Sequence, residues 1–267
     1  MDQYEIQIGE NRSLTVARVM PDAHWHWLAK GWVDFKATWR FGLLIGIVPV
    51  LSAWVMVFGL WYLDMLGFIP AVCGGFALVG PILALGCYQL SRSHEAREAI
   101  ELNTLLKPRI ISPGQVSIIG FVLMLILVIW ARLASLLYAL ASSARQPAPA
   151  IDFINFALQT PEGLTMVVVG TLIGAALAAM AYVVSVIAIP LTFDRQVDAL
   201  TAMLVSVVAV LRNKGAMISF AFNIAMLVGL CLITGFIGLI IVFPWLGYAT
   251  WHCYRTLITH IDTSESH

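Results

Sequence analysis

One ionisable side chain stands well inside an apolar run. Arg132 follows the uncharged stretch Val116–Trp130. An arginine at membrane depth either serves an anion or a lipid headgroup or carries its charge outward to the interface. Asp64 and Asp152 are its candidate counter-ions. A second constellation, Asp194-Arg195-Gln196-Val197-Asp198, is expected at an inner mouth together with His252. Asp194 and Asp198 suit the positive N-terminal end of a helix, and the alternative is a cytoplasmic gate or a partner contact. His24, His26, His94, His260 and His267 fall in polar or surface segments. No two histidines face each other at mid-membrane depth, as haem ligation between helices requires. Cys73, Cys87, Cys231 and Cys253 lie in apolar runs without zinc-ligand spacing. The chain carries no P-loop, GxSxG or HExxH. No catalytic residue, metal or cofactor is therefore expected.

Such residues need elements to position them, and composition decides which. Of 267 residues, 60% are hydrophobic and only 11% are charged. An average soluble chain carries about 25% charged residues, so this chain cannot cover its own surface in water. A soluble enzyme, a disordered chain and a nucleic-acid binder are excluded, the last also by a net charge of zero. Residues 1–23 have acidic side chains and no apolar segment, so no signal peptide is expected.

A membrane span takes about 20 apolar residues. Six helices are predicted, near 42–63, 67–90, 114–140, 164–192, 216–234 and 238–257. The last two share the run Gly215–Tyr254, 40 residues without Asp, Glu, Lys or Arg. As a single helix that run would be about 60 Å long, twice the hydrocarbon thickness. It must fold back, and Thr234-Gly235-Phe236-Ile237-Gly238 is the place. With six spans, 13 basic residues fall on the side of both termini and only Arg145 on the other. By the positive-inside rule both termini are expected in the cytoplasm. The middle outer connection, about 141–163, holds a proline pair and then a short surface helix near Ile151–Leu158.

The inner segments are patterned as well. Trp25, Leu28, Trp32, Phe35 and Trp39 recur at helical spacing, with Lys30, Asp34 and Lys36 off that stripe. This predicts an interfacial helix anchored by Trp25, Trp32 and Trp39. Val197, Leu200, Leu204, Val207 and Leu211 repeat the spacing, and Arg92–Leu106 does so more weakly. Each inward-running helix also holds a proline, at Pro81, Pro190 and Pro244, followed by an aromatic at Tyr88, Phe193 and Tyr248. The pattern reads as three diverged units, each an inner surface helix plus a helical hairpin. Gly42 with Gly46, and Gly170 with Gly174, place small residues on one helix face for close packing.

The fold expected is all-α: a polytopic bundle of six transmembrane helices in three hairpins, with cytoplasmic interfacial helices. It divides into a cytoplasmic segment 1–23, a membrane domain 24–258 and a cytoplasmic tail 259–267. Five stretches resemble the uncharacterised bacterial integral membrane proteins grouped as domain of unknown function 2189. They are Trp27–Phe35, Gly80–Arg92, Trp130–Leu133, Ile189–Arg195 continuing through Asp198–Met203, and Gly247–Arg255. The resemblance implies an integral membrane protein and assigns no activity. The reading that follows is a non-enzymatic scaffold, assembly factor or accessory subunit of a membrane complex. Its partners would be lipids, other membrane subunits or further copies of itself, and no nucleic acid. The alternative is a small transporter or channel that uses Arg132 near an outward-facing cavity.

Overall fold

The computed structural model describes residues 4–9, 12–63, 80, 83–101, 105, 108–142 and 150–262. They form β1 (Tyr4–Gly9), β2 (Arg12–Val16), α1 (Ala23–Ala37), α2 (Trp39–Tyr62), α3 (Leu85–Glu95), α4 (Pro113–Ser142), α5 (Ala150–Gln159), α6 (Pro161–Ser185), α7 (Ala188–Asp194), α8 (Ala199–Arg212), α9 (Lys214–Ile233), α10 (Leu239–Leu257) and β3 (Ile258–Asp262). The fold is helical. Four helical stretches are long and apolar enough to cross a membrane: Trp39–Tyr62, Pro113–Ser142, Pro161–Asp194 and Lys214–Ile233. Most of the predicted second span, 67–90, lies outside the described residues. The predicted sixth forms α10, whose second half is largely buried within the protein. The expected surface helix over Arg92–Leu106 is helical at its start and then broken. α3 ends at Glu95, and Arg97 turns the chain with φ of 54°.

Contacts divide the chain into two compact units. The first comprises 1–50, 81–119 and 183–267, the second 51–80 and 120–182. In the first, the two ends of the chain meet. β2 pairs antiparallel with β1 and with β3, so Val16 lies opposite both Tyr4 and Ile258. The segments on either side of the helical fold, read from the sequence without strands, meet in this small sheet. Alternation along Arg12-Ser-Leu-Thr-Val is short and weak, and its pairing partner lies some 245 residues away, so no local pattern announces it.

α1 lies against α10 because Gly31 lets the backbones touch. A Cβ at Gly31 would sit 2.6 Å from the Ala249 nitrogen. Trp245 Nε1 donates to the Leu28 carbonyl at 2.8 Å across the same contact. Gly46 opens α2 to α10 in the same way, since its Cβ would meet the Ile240 carbonyl, and Gly42 faces Phe35 and Tyr248. In the second unit, Gly174 receives the Trp130 ring, and a Cβ at Gly170 would lie 3.8 Å from Leu137. Both glycine pairs therefore pack helices within the chain.

The predicted helix over 164–192 is broken between α6 and α7. Pro190 has no N–H to give and its ring crowds the preceding turn. Ser206 of α8 fills the break: its hydroxyl accepts from Ile187 N at 3.2 Å and donates to the Val183 carbonyl at 2.7 Å. The 40-residue uncharged run divides where expected. Gly235 and Phe236 take positive φ between α9 and α10, and Thr234 Oγ1 accepts from Gly238 N.

Candidate functional site: a buried Asp34 hub and its neighbour at Asp194

α1 buries one face, Trp27, Leu28, Gly31, Asp34 and Phe35, against the first unit. Asp34 was expected off the packed stripe. It lies on the buried face instead, 4% exposed. A carboxylate that deep needs partners for both oxygens. His94 Nδ1 lies 2.8 Å from Oδ1, and His252 Nε2 lies 2.8 Å from Oδ2. The Ser91 hydroxyl donates to Oδ2 as well. With Asp34 ionised and accepting, each imidazole nitrogen that faces it carries a hydrogen. Burial pushes the Asp34 carboxyl upward, but the hydrogen bonds from His252, Ser91 and His94 outweigh it and hold it below the ordinary carboxylate range. The hub extends outward. His252 Nδ1 lies 3.6 Å from Glu95 Oε1, and Arg255 Nε lies 3.4 Å from Glu95 Oε2. Below the hub, Thr38 Oγ1 donates to the Asp34 carbonyl and lies 2.9 Å from Tyr248 Oη.

Asp194 closes a second cluster at the end of α7. Tyr254 Oη donates to its Oδ2 at 2.8 Å, and Arg92 and Arg195 approach at 3.7 and 3.9 Å. The Arg92 guanidinium also lies 4.6 Å above the Phe193 ring and donates to the Gln89 side chain and the Arg109 carbonyl, both at 2.7 Å. Between the clusters, the rings of Tyr88, Phe193 and Trp251 meet in mutual contact at 6.0–6.2 Å. Each ring comes from one of the three proline-bearing segments, and each is followed by a buried or half-buried polar residue: Gln89, Asp194 and His252. The aromatic of the third segment that joins this contact is Trp251, whereas Tyr248 bonds to Thr38.

The expected inner-mouth set thus separates. Asp194 and Arg195 stand together, His252 belongs to Asp34, and Asp198 caps α8 by accepting from Thr201 N at 2.9 Å. That bond and the Thr201 hydroxyl hold the Asp198 carboxyl below its ordinary range. Arg132 is exposed on α4 in the second unit. Asp64 and the Asp152 side chain lie outside the described residues. In the same unit a cleft of about 420 Å³ opens between α4 and α6, lined by Leu137, Leu140, Met166 and Val169 with Glu162 and Thr165, and Arg132 is not among its lining residues. Trp25, Trp32 and Trp39 are exposed, at 60%, 38% and 51%.

Chemically the Asp34 hub is an acid–base network without an activated nucleophile. Ser91 donates to the carboxylate and not to an imidazole, so no base takes its proton. Among the described residues no group of three or more His, Cys, Asp and Glu has metal-holding geometry. What stands out is provenance. Trp27–Phe35, Gly80–Arg92, Ile189–Arg195 and Gly247–Arg255, far apart in sequence, converge on these two clusters. The chain matches the DUF2189 family, described as predicted integral membrane proteins, over residues 68–194. The DUF2189 match takes in Ser91, Arg92, His94, Glu95 and Asp194, whereas Asp34 and His252 come from outside it. No curated protein and no solved structure matches the chain.

Proposed function

We propose that this integral membrane protein is a non-enzymatic scaffold, assembly factor or accessory subunit of a bacterial inner-membrane complex. The carrying observation is the exposure of Arg132 on α4. A substrate-binding arginine would line a polar cavity, whereas an exposed one suits snorkelling or contact with headgroups and neighbouring subunits. Two further features support the reading. The buried carboxylate Asp34 has both oxygens engaged by side chains that join helices, as a clamp requires. Large apolar side chains are exposed along α2, α4, α6 and α9, where lipid or another membrane subunit would cover them.

Six spans with both termini in the cytoplasm remain the arrangement that suits the charge distribution. Pairing of β2 with β3 brings the two strand-bearing segments together, which suits an even number of crossings, four as well as six. Trp25, Trp32 and Trp39 would then lie at the inner headgroup level.

Arg132→Leu separates this function from transport. Removing a charge at membrane depth relieves an insertion cost of up to about 2.5–3.5 kcal/mol, so the variant should insert at least as well as the parent. It should also leave the mass of the native membrane assembly, read on a native gel, unchanged. Solute or ion flux through liposomes holding the purified chain alone, abolished by Arg132→Leu, would overturn the proposal.

A further inference from the structure

The Asp34 hub has more to offer than a clamp. The titratable and charged groups facing its two imidazoles are Asp34 from α1, His94 and Glu95 from α3, and Arg255 from α10, with Tyr248 of α10 close by through Thr38. Two carboxylates therefore face one guanidinium and two imidazoles. One imidazolium brings the cluster to neutrality. The geometry distinguishes the two rings. His94 turns one nitrogen to a carboxylate, and a neutral ring satisfies that contact. His252 turns both: Nε2 to Asp34 at 2.8 Å and Nδ1 toward Glu95 at 3.6 Å. A neutral His252 would point a lone pair at one of these carboxylates, while a doubly protonated ring has a hydrogen for each.

We propose that His252 carries one bound proton between Asp34 and Glu95, and that this proton latches α1 to α3 and α10. The location gives the latch a consequence. α1 is the element that carries Trp25 and Trp32 on its exposed face. It is held to α10 by the Gly31 contact, the Trp245 bond and this cluster. Loss of the proton sets a lone pair against a carboxylate and loosens this charged tie. Asp34 stays ionised throughout, since its partners hold it below the ordinary carboxylate range. The sign follows by linkage. The latched state holds a proton that the released state gives up, so latching weakens as pH rises through the histidine range.

The test uses the full chain in lipid nanodiscs, with thermal midpoints measured from about pH 6 to about pH 8, either side of the ordinary histidine value. The wild-type midpoint should fall by about 2–4 °C over that range, the shift expected for a small stability change in a chain of this size. His94→Gln should keep the slope. Glu95→Gln should flatten it, because the amide no longer demands a second ring proton, and the change falls at an exposed position. His252→Gln should flatten it too. Should that variant fail to fold, Glu95→Gln decides alone. Hydrogen exchange of the 23–37 amides, accelerating with pH beyond the intrinsic rate in wild type but not in Glu95→Gln, locates the effect on α1. A flat wild-type profile, or a wild-type slope retained in Glu95→Gln, overturns the proposal.

Discussion

Asp34 is held by side chains 57, 60 and 218 residues away. Its removal therefore acts on three segments at once. Asp34→Ala strips the hub of its acceptor and leaves His94, His252 and Ser91 facing a void. Breaking a buried, hydrogen-bonded pair from one side costs about 3–5 kcal/mol. Asp34→Asn should cost less, because its amide oxygen still accepts. Chemical unfolding in detergent would measure both, and equal midpoints for wild type and Asp34→Ala would contradict the hub. The sequence offered a partial sign of this residue. Trp27, Gly31, Asp34 and Thr38 follow helical spacing, and a glycine on that line marks a close approach. The aromatic stripe of Trp25, Trp32 and Trp39 lies on a neighbouring face and drew the packed side toward itself. A charge on a packed face is legible only with its partners, and they sit in other segments. His252 was legible as an inner-end residue but not as a partner of Asp34, for the same reason.

At the scale of elements, apolar periodicity served well wherever a helix is long and uniform. The first, third and fifth predicted spans match α2, α4 and α9 within a few residues. It failed at the break between α6 and α7, because hydropathy does not register a lost hydrogen bond. Pro190 marked the place, but the hydroxyl that fills it belongs to α8. The sheet escaped notice because β3 continues α10 directly and pairs only with the far end of the chain. α8 illustrates what a cap contributes. Asp198 accepts from Thr201 N, and its carboxyl is held below the ordinary range by that bond and the Thr201 hydroxyl. Its stabilisation is present above the ordinary carboxylate value and is lost as pH falls through the depressed one. Asp198→Ala should cost about 1 kcal/mol near neutrality and less once the carboxyl is protonated, when only a neutral oxygen still accepts. Unfolding midpoints of the two chains compared at both pH values would show the gap narrow in acid, and a gap of unchanged size there would assign the loss to something other than the charged cap.

For the whole molecule, composition fixed the class and charge asymmetry suggested the orientation, while the meeting of the distant motif segments could be seen only in three dimensions. We propose that the two ends of the chain and the Asp34 and Asp194 clusters share the cytoplasmic face of this helical membrane protein. β2 and β3 tie the ends to one another, and α1, α3, α7 and α10 bring the clusters to that same unit. The direct measurement is labelling of single cysteines by an impermeant thiol reagent in intact cells, in a chain whose four native cysteines are replaced. Glu5, Glu98 and Glu162 are exposed positions that report on the N-terminal hairpin, the chain after α3 and the start of α6. The account predicts labelling of Glu162→Cys in intact cells, and labelling of Glu5→Cys and Glu98→Cys only after the membrane is opened. Labelling of Glu5→Cys or Glu98→Cys in intact cells would contradict it.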